Sequence, residues 1–207
     1  MTTLPAQKAL LRAELRQLRK TYRAERADRL RDDLEALAGF ATRVLDLGAQ
    51  HAATGKPFII ASFKALGNEI SPQFLENALL DLGQEIVWPR VLENQLEFCG
   101  NDGTPPFVAG AFGVLEPGPG ATRKRPDLLI VPLIGCDTQG YRLGQGGGFY
   151  DQSIARLRKS AQDAGKPRPI TITIGIGFDC QLVQVVPREP HDLQLHAMIT
   201  PSQFILF

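Results

Sequence analysis

Apolar residues recur at helical spacing through the first fifty positions. Leu11, Leu15, Leu18 and Tyr22 form one apolar stripe over residues 5–23, the period of an amphipathic helix. Lys8, Arg12, Arg16, Arg19 and Arg23 form a second, basic stripe on the same helix. Leu30, Leu34, Leu37, Ala41 and Val44 predict a second amphipathic helix ending near Gly48, followed by a polar link over 51–57. Residues 58–63 are a short apolar run of strand type, and Gly67-Asn68 marks a turn. Ser71-Pro72 reads as an N-cap followed by proline at the first helical position. The helix it opens carries Phe74, Leu75, Ala78, Leu79 and Leu82 and stops at Gly83. Residues 85–88 predict a strand ended by Pro89, and 96–99 a short alternating one. Residues 101–126, rich in Gly and Pro, read as a long irregular loop with at most a short strand. Residues 127–134 are almost uniformly apolar, as expected of a strand covered on both faces of a parallel sheet. A helix from about Phe149 to Ala164, a break at Pro167–Pro169, a buried strand over 170–178 and a short strand over 204–207 complete the pattern. Strands alternating with helices argue for a layered α/β domain. There is no internal repeat, coiled-coil heptad or low-complexity tract, and the basic first helix and the 101–126 loop decorate that one domain.

Composition narrows the class. A length of 207 residues fits one domain, with 43% hydrophobic and 22% charged residues, as in ordinary globular proteins. The net charge of +1 gives no global reason to expect nucleic acid, although residues 8–31 hold nine Lys or Arg and three acids. No apolar run approaches the ~20 residues that span a bilayer, and the first residues do not read as a signal peptide. Cys99, Cys136 and Cys180 are odd in number and widely spaced, which suits free thiols in a reducing cytoplasm. The expectation is a cytoplasmic, monomeric protein without a nucleic-acid or membrane partner.

The chemistry concentrates in one stretch. Gly144, Gly146, Gly147 and Gly148 fall within five positions, after a buried strand and before a helix. Glycine permits positive φ and close backbone approach. Successive N–H groups can then converge on an anion as a nest, next to the positive end of the following helix. Arg142 offers a bidentate contact to phosphate, and Asp151 a carboxylate for Mg²⁺. The plain alternative is a flexible glycine-rich turn. The stretch lacks the Gly-x-x-x-x-Gly-Lys-Ser/Thr of a Walker loop, and Phe149 stands where the dinucleotide fingerprint needs its third glycine. His191 and His196 are five apart, the wrong interval for a two-histidine zinc face on a helix.

Arg142-Leu143-Gly144-Gln145-Gly146-Gly147-Gly148-Phe149-Tyr150-Asp151, after a strand ending in Val131-Pro132, resembles the signature of the 5-formyltetrahydrofolate cyclo-ligase (5,10-methenyltetrahydrofolate synthetase) family. The resemblance covers nearly the whole chain. Lys8 and Arg12 resemble the family's N-terminal ATP contact, Asn68-Glu69-Ile70 its folate-contacting Glu-Ile, and residues 174–183 and 187–192 its C-terminal segments. It implies a three-layer α/β/α domain over 1–207, with a central, largely parallel sheet and an N-terminal helical extension. It also implies ATP binding at Lys8, Ala9, Leu10, Leu11, Arg12, Arg142, Leu143, Gly144, Gln145, Gly146, Gly147, Gly148, Phe149 and Tyr150. Reduced folate would be bound at Lys64, Glu69 and Gln145 to Phe149, and Mg²⁺ at Asp151 and Asp192. Arg142 and Lys8 are the implied catalytic residues. Two positions depart from the pattern. Lys64-Ala65 follows Phe63 where relatives often carry Trp-Pro or a similar pair, and His196 stands where Asp is usual.

The implied reaction activates a formyl amide by phosphorylating its oxygen, so that N10 of the folate can close the ring. A basic stripe is ordinarily a solvated helix face, and the resemblance reassigns only Lys8 and Arg12. Arg16, Arg19 and Arg23 stay assigned to solvent or to weak contacts with a partner. Glu69 and Asp192 read otherwise as surface residues, and Phe149 and Tyr150 as core aromatics. The competing functions are a binding protein without turnover, a kinase or sugar-phosphate enzyme on a similar sheet, and an RNA-associated protein using the basic helix.

Overall fold

The computed structural model describes residues 3–51, 56–93, 95–100, 107–110, 113–163, 171–189 and 192–207. Its frame is a seven-stranded sheet. The strands are β1 (Ile59–Ala61), β2 (Glu85–Leu92), β3 (Gln95–Gly100), β6 (Leu128–Pro132), β9 (Ile172–Ile176), β11 (Ala197–Ile199) and β12 (Phe204–Leu206), in spatial order β12-β11-β9-β6-β1-β2-β3. The five inner strands run parallel, and β3 and β12 close the edges antiparallel.

Side chains alternate across this sheet with a period of two, which gives each face its own core. Ile60, Ile86, Leu128, Ile130, Ile172, Ile174 and Ile176 face one way. They are covered by residues of α2 (Leu30–Ala36), a 3₁₀ turn (Leu37–Phe40), α3 (Ala41–His51) and α4 (Gln73–Asp81). Ala61, Val87, Leu129, Val131 and Met198 face the other way, against Ile154 and Leu157 of α5 (Phe149–Asp163). This is the expected three-layer arrangement, and it explains why 128–131 are apolar without alternation.

Several local expectations are corrected. The second predicted helix is two helices joined by the 3₁₀ turn, although Leu37, Ala41 and Val44 are buried as the stripe required. It runs on to His51 rather than stopping at Gly48. The cap of α4 moves one residue: Pro72 is the N-cap, and the Ser71 hydroxyl accepts the Gln73 N–H at 3.4 Å. Pro89 does not end β2. Past Val87 that strand pairs only with β3, Pro89 lying opposite Phe98, so a missing N–H on the other side breaks no ladder. The 107–126 stretch contains a small hairpin of β4 (Val108–Ala109) and β5 (Leu115–Glu116), while 101–106, 111–112, Ala164 and Pro167–Pro169 lie outside the described residues. Strand β11 was not foreseen. The three cysteines are free, and among the described residues no helix is long and apolar enough to cross a membrane.

His196 opens β11. Its Nδ1 accepts the Thr173 backbone N–H at 3.1 Å, and its ring meets His51 edge-on at 5.9 Å. Burial, reinforced by Arg158 and His51, pushes its pKa down to about 4 from 6.5. The folded state therefore refuses a proton that the unfolded chain accepts below pH 6.5, and stability is lost as pH falls from 6.5 toward 4. The melting temperature should drop across that window, and His196→Gln should flatten the drop. An equal slope in the variant would remove His196 as its source.

Candidate functional site

The glycine loop is set by the elements that flank it. After β6 the chain forms β7 (Gly135–Asp137) and β8 (Arg142–Leu143), which pair antiparallel, with β10 (Leu182–Val183) on the other side of β7. Arg142 thus sits on a short strand rather than in the loop itself. Residues 144–148 follow, and α5 starts at Phe149. Gly146 and Gly148 have φ of +108° and +68°, a conformation costly for any side chain. Positive φ at 146 and 148, but not at 147, is the alternation that turns neighbouring N–H groups toward one anion.

Helix α1 (Leu4–Glu25) lies over the loops that follow β1, β6 and β9. Its seat is apolar and small: Leu15 packs with Ile134, Leu143 and Val186, and Leu11 lies against them. A Cβ on Gly135 would come within 2.5 Å of Leu15 Cδ1, so glycine lets Leu15 take this position. The seat turns the basic stripe inward. Lys8 Nζ donates to Asp192 Oδ2 at 2.6 Å and to Glu189 Oε2 at 2.9 Å. Burial alone would lower the Lys8 pKa, but these two carboxylates outweigh it and raise it. Arg12 Nε donates to the Gly144 carbonyl at 2.8 Å, and Arg16 Nη2 to Gln145 Oε1 at 2.8 Å. Gln145 Nε2 in turn donates to Glu69 Oε1 at 2.9 Å.

These contacts border one cleft of about 560 Å³ at the carboxyl edge of the parallel strands, where open α/β sheets bind ligands. Arg142, buried, donates to Asp151 Oδ1 at 2.8 Å and lies 5.8 Å over the Tyr150 ring. Its Nε is sealed from solvent and makes no hydrogen bond among the described residues. The opposite wall is apolar, with Phe63, Leu66, Pro89, Val91, Leu96 and Val114. Lys64 stands in it, its ammonium 4.5 Å from the Trp88 ring and 5.0 Å from Phe107. Buried Glu76 fixes both residues, accepting Lys64 Nζ at 3.3 Å and Trp88 Nε1 at 3.2 Å. Lys64 thus places a held cation in this wall.

Lys8, Arg12, Lys64, Glu69, every residue from Arg142 to Asp151, and Asp192 all line the cleft. Ala9, Leu10 and Leu11 do not: Leu10 is 61% exposed, and Leu11 belongs to the helix seat. Two readings of the first helix change. Leu18, placed on the apolar stripe, is 46% exposed, whereas Arg19, left to solvent, is 7% exposed. His196 is away from the cleft, so that departure does not touch the carboxylate end, and His191 lies outside the described residues. Phe149 and Tyr150 serve both as cleft lining and as packing under α5. Glu189 and Glu116 were not singled out, although Glu189 stood inside the segment that carries Asp192.

The donor set suits a hard divalent cation. The described lining holds five carboxylates, Glu69, Glu116, Asp151, Glu189 and Asp192, against four cations, Lys8, Arg12, Lys64 and Arg142. Among the described residues no three metal-ligating side chains form a ready-made cage. Gly146→Ala tests the loop. Forcing alanine to φ near +108° should cost about 1–3 kcal/mol locally and weaken nucleotide binding measured by calorimetry. Unchanged affinity would show that the nest is not the phosphate seat.

A family model described as 5-formyltetrahydrofolate cyclo-ligase family matches residues 5–201. A 5-formyltetrahydrofolate cyclo-ligase of Mycolicibacterium smegmatis is 28% identical over 156 residues, 71% of this chain and 75% of that protein. The mouse protein of the same name is 23% identical over 208 residues, 95% of each chain. In fold, the chain is similar to the solution structure of 5,10-methenyltetrahydrofolate synthetase from Aquifex aeolicus, with a TM-score of 0.67 and 22% identity, covering 95% of this chain and 92% of that one. With a match running from the seat of Lys8 past that of Asp192, the chain belongs to the 5-formyltetrahydrofolate cyclo-ligase family.

Proposed function

We propose that residues 1–207 act as one cytoplasmic, monomeric ligase that converts 5-formyltetrahydrofolate and ATP into 5,10-methenyltetrahydrofolate, ADP and phosphate. The observation that carries this reading is the meeting of three separated segments in one cleft. Cations from α1 and carboxylates from 189–192 converge on the glycine loop, beside an apolar wall suited to a flat heterocycle.

The N5-formyl group is an amide, and its carbon is a poor electrophile. Transfer of the γ-phosphoryl group to the formyl oxygen makes an iminium phosphate and releases ADP. Attack by N10 closes the five-membered ring, and phosphate leaves with the former formyl oxygen while the N10 proton is lost to solvent or to the departing phosphate. In this reading the loop N–H groups and Arg12 hold the triphosphate, and Arg142 and Lys8 stabilise charge on the group in transfer. Asp151 and Asp192 would hold magnesium, which when bound draws off triphosphate charge and leaves Arg142 and Lys8 to phosphate oxygens. Glu69 and Lys64 orient the folate from the opposite wall, and Gln145 to Phe149 touch both ligands. Catalysis is then mainly positioning and charge neutralisation.

Purified protein with ATP, Mg²⁺ and 5-formyltetrahydrofolate should produce the absorbance of the methenyl product. No rise above a control without enzyme would sink the reading. Arg142→Ala should reduce kcat by roughly 10²–10³, with the folded state checked by circular dichroism. Full activity in that variant would remove Arg142 from catalysis.

A further inference from the structure

The apolar wall opposite the glycine loop contains one cation among its described residues, Lys64, beside Phe63, Leu66, Pro89 and Val91. Its ammonium is held from behind by residues that do not themselves border the cleft. Glu76 Oε2 accepts Lys64 Nζ at 3.3 Å, and the rings of Trp88 and Phe107 lie 4.5 Å and 5.0 Å away. Each member of this box is fixed by another. Glu76, on α4, is 1% exposed, and its second oxygen accepts Trp88 Nε1 at 3.2 Å. Trp88 meets Phe107 edge-on at 5.2 Å. Among the described residues Glu76 is the one hydrogen-bond acceptor of the Lys64 ammonium.

An ammonium carries three donors and no acceptor. One donor is directed at Glu76, and the aromatic faces attract the charge without offering an oxygen. Donor capacity is therefore left over on a side chain that lines the cleft. A free lysine loses rotamer freedom when a ligand fixes it, whereas this one is ordered before any ligand arrives. Glu76, sealed from water, needs its two donors in turn, so the box has reason to stay closed through binding. A neutral heterocycle can meet a fixed ammonium only with a carbonyl oxygen or an unprotonated ring nitrogen. In a reduced pteridine the 4-carbonyl is the strongest such group on the ring. The formyl oxygen, the other carbonyl, has to face the nucleotide.

We propose that Lys64 donates to the 4-carbonyl of the pteridine and makes this chain select 4-oxo over 4-amino ring systems, with Glu76 as the positioning residue that acts through Lys64. The proposal rests on the folate reading of the cleft. A 4-amino group would turn the acceptor into a donor facing a cation.

The test compares 5-formyltetrahydrofolate with its 4-amino-4-deoxy counterpart, by Kd in calorimetry without ATP. The wild type should favour the 4-oxo ring by roughly 10- to 100-fold, the span of one hydrogen bond to a charged group. Lys64→Met should bring the ratio toward one, and Glu76→Gln, which keeps the shape but not the charge, should lose much of it. The double variant should fall no lower than Lys64→Met alone, because Glu76 works through the lysine. A Glu76 that only stabilised the fold would weaken both rings alike and leave the ratio intact. In turnover, Lys64→Met should raise KM for the folate with KM for ATP unchanged. Trp88 is the only tryptophan of the chain, so near-ultraviolet circular dichroism of its indole shows whether the box stays assembled. If Glu76→Gln disorders it, Lys64→Met, at a side chain 25% exposed, carries the comparison. Equal affinity for the two rings in the wild type, or an undiminished ratio in Lys64→Met, would overturn the proposal. Binding of the 4-oxo folate without turnover counts against the ligase reading alone, since the Kd ratio still decides the role of Lys64. Binding of neither ring overturns both.

Discussion

Leu15 resting on Gly135 is the contact on which the site depends. Helix α1 is mostly polar, and its apolar hold on the rest of the fold is the seat of Leu15, Ile134, Leu143 and Val186 together with Tyr22 against Phe178. That seat decides which face of the helix turns inward. Leu15 is flanked one and two turns away by Lys8, Arg12 and Arg19, so docking one leucine delivers a line of cations to the carboxyl edge of the sheet. A side chain at 135 would meet Leu15 Cδ1 at 2.5 Å, so Leu15 would have to give way in the seat that presents Lys8 to Asp192 and Arg12 to Gly144.

The cleft is balanced internally. Lys8 lies against Glu189 and Asp192, Arg142 against Asp151, and Lys64 against Glu76. Such pairing keeps desolvated charges tolerable in a partly buried site. It also keeps both carboxylates and cations at hand for a ligand that carries the two signs together. Glu76 adds a different kind of order. By holding the Trp88 indole and the Lys64 ammonium at once, it gives an aromatic wall a fixed orientation and a fixed charge.

Much of this was legible in the sequence where the signal is local. The unbroken apolar run at 128–131 announced a strand with both faces covered, and the glycine cluster after it announced a loop with positive φ at 146 and 148. What stayed hidden depends on distant partners. Strand β11 has three residues, too few to show a period. Pro89 looked like a strand end because its missing N–H matters only if a neighbour is there to accept it. Leu18 and Arg19 exchanged expected places because a helix with an apolar and a basic stripe does not say which will face the body of the protein. That choice was made by the leucine seat, not by hydrophobicity along the helix. His196 looked like a change at the metal end, and only the register of β11 with β9 moves it to Thr173.

The Lys8–Asp192 pair joins positions 184 apart in the chain. During synthesis the first helix leaves the ribosome long before its partners exist, by roughly ten to forty seconds at ordinary elongation rates. An isolated helix of this length is marginal in water, and both its leucine seat and its carboxylates are still to come. The sheet can assemble strand by strand in the meantime, but the cleft is closed only when nearly the whole chain has been made.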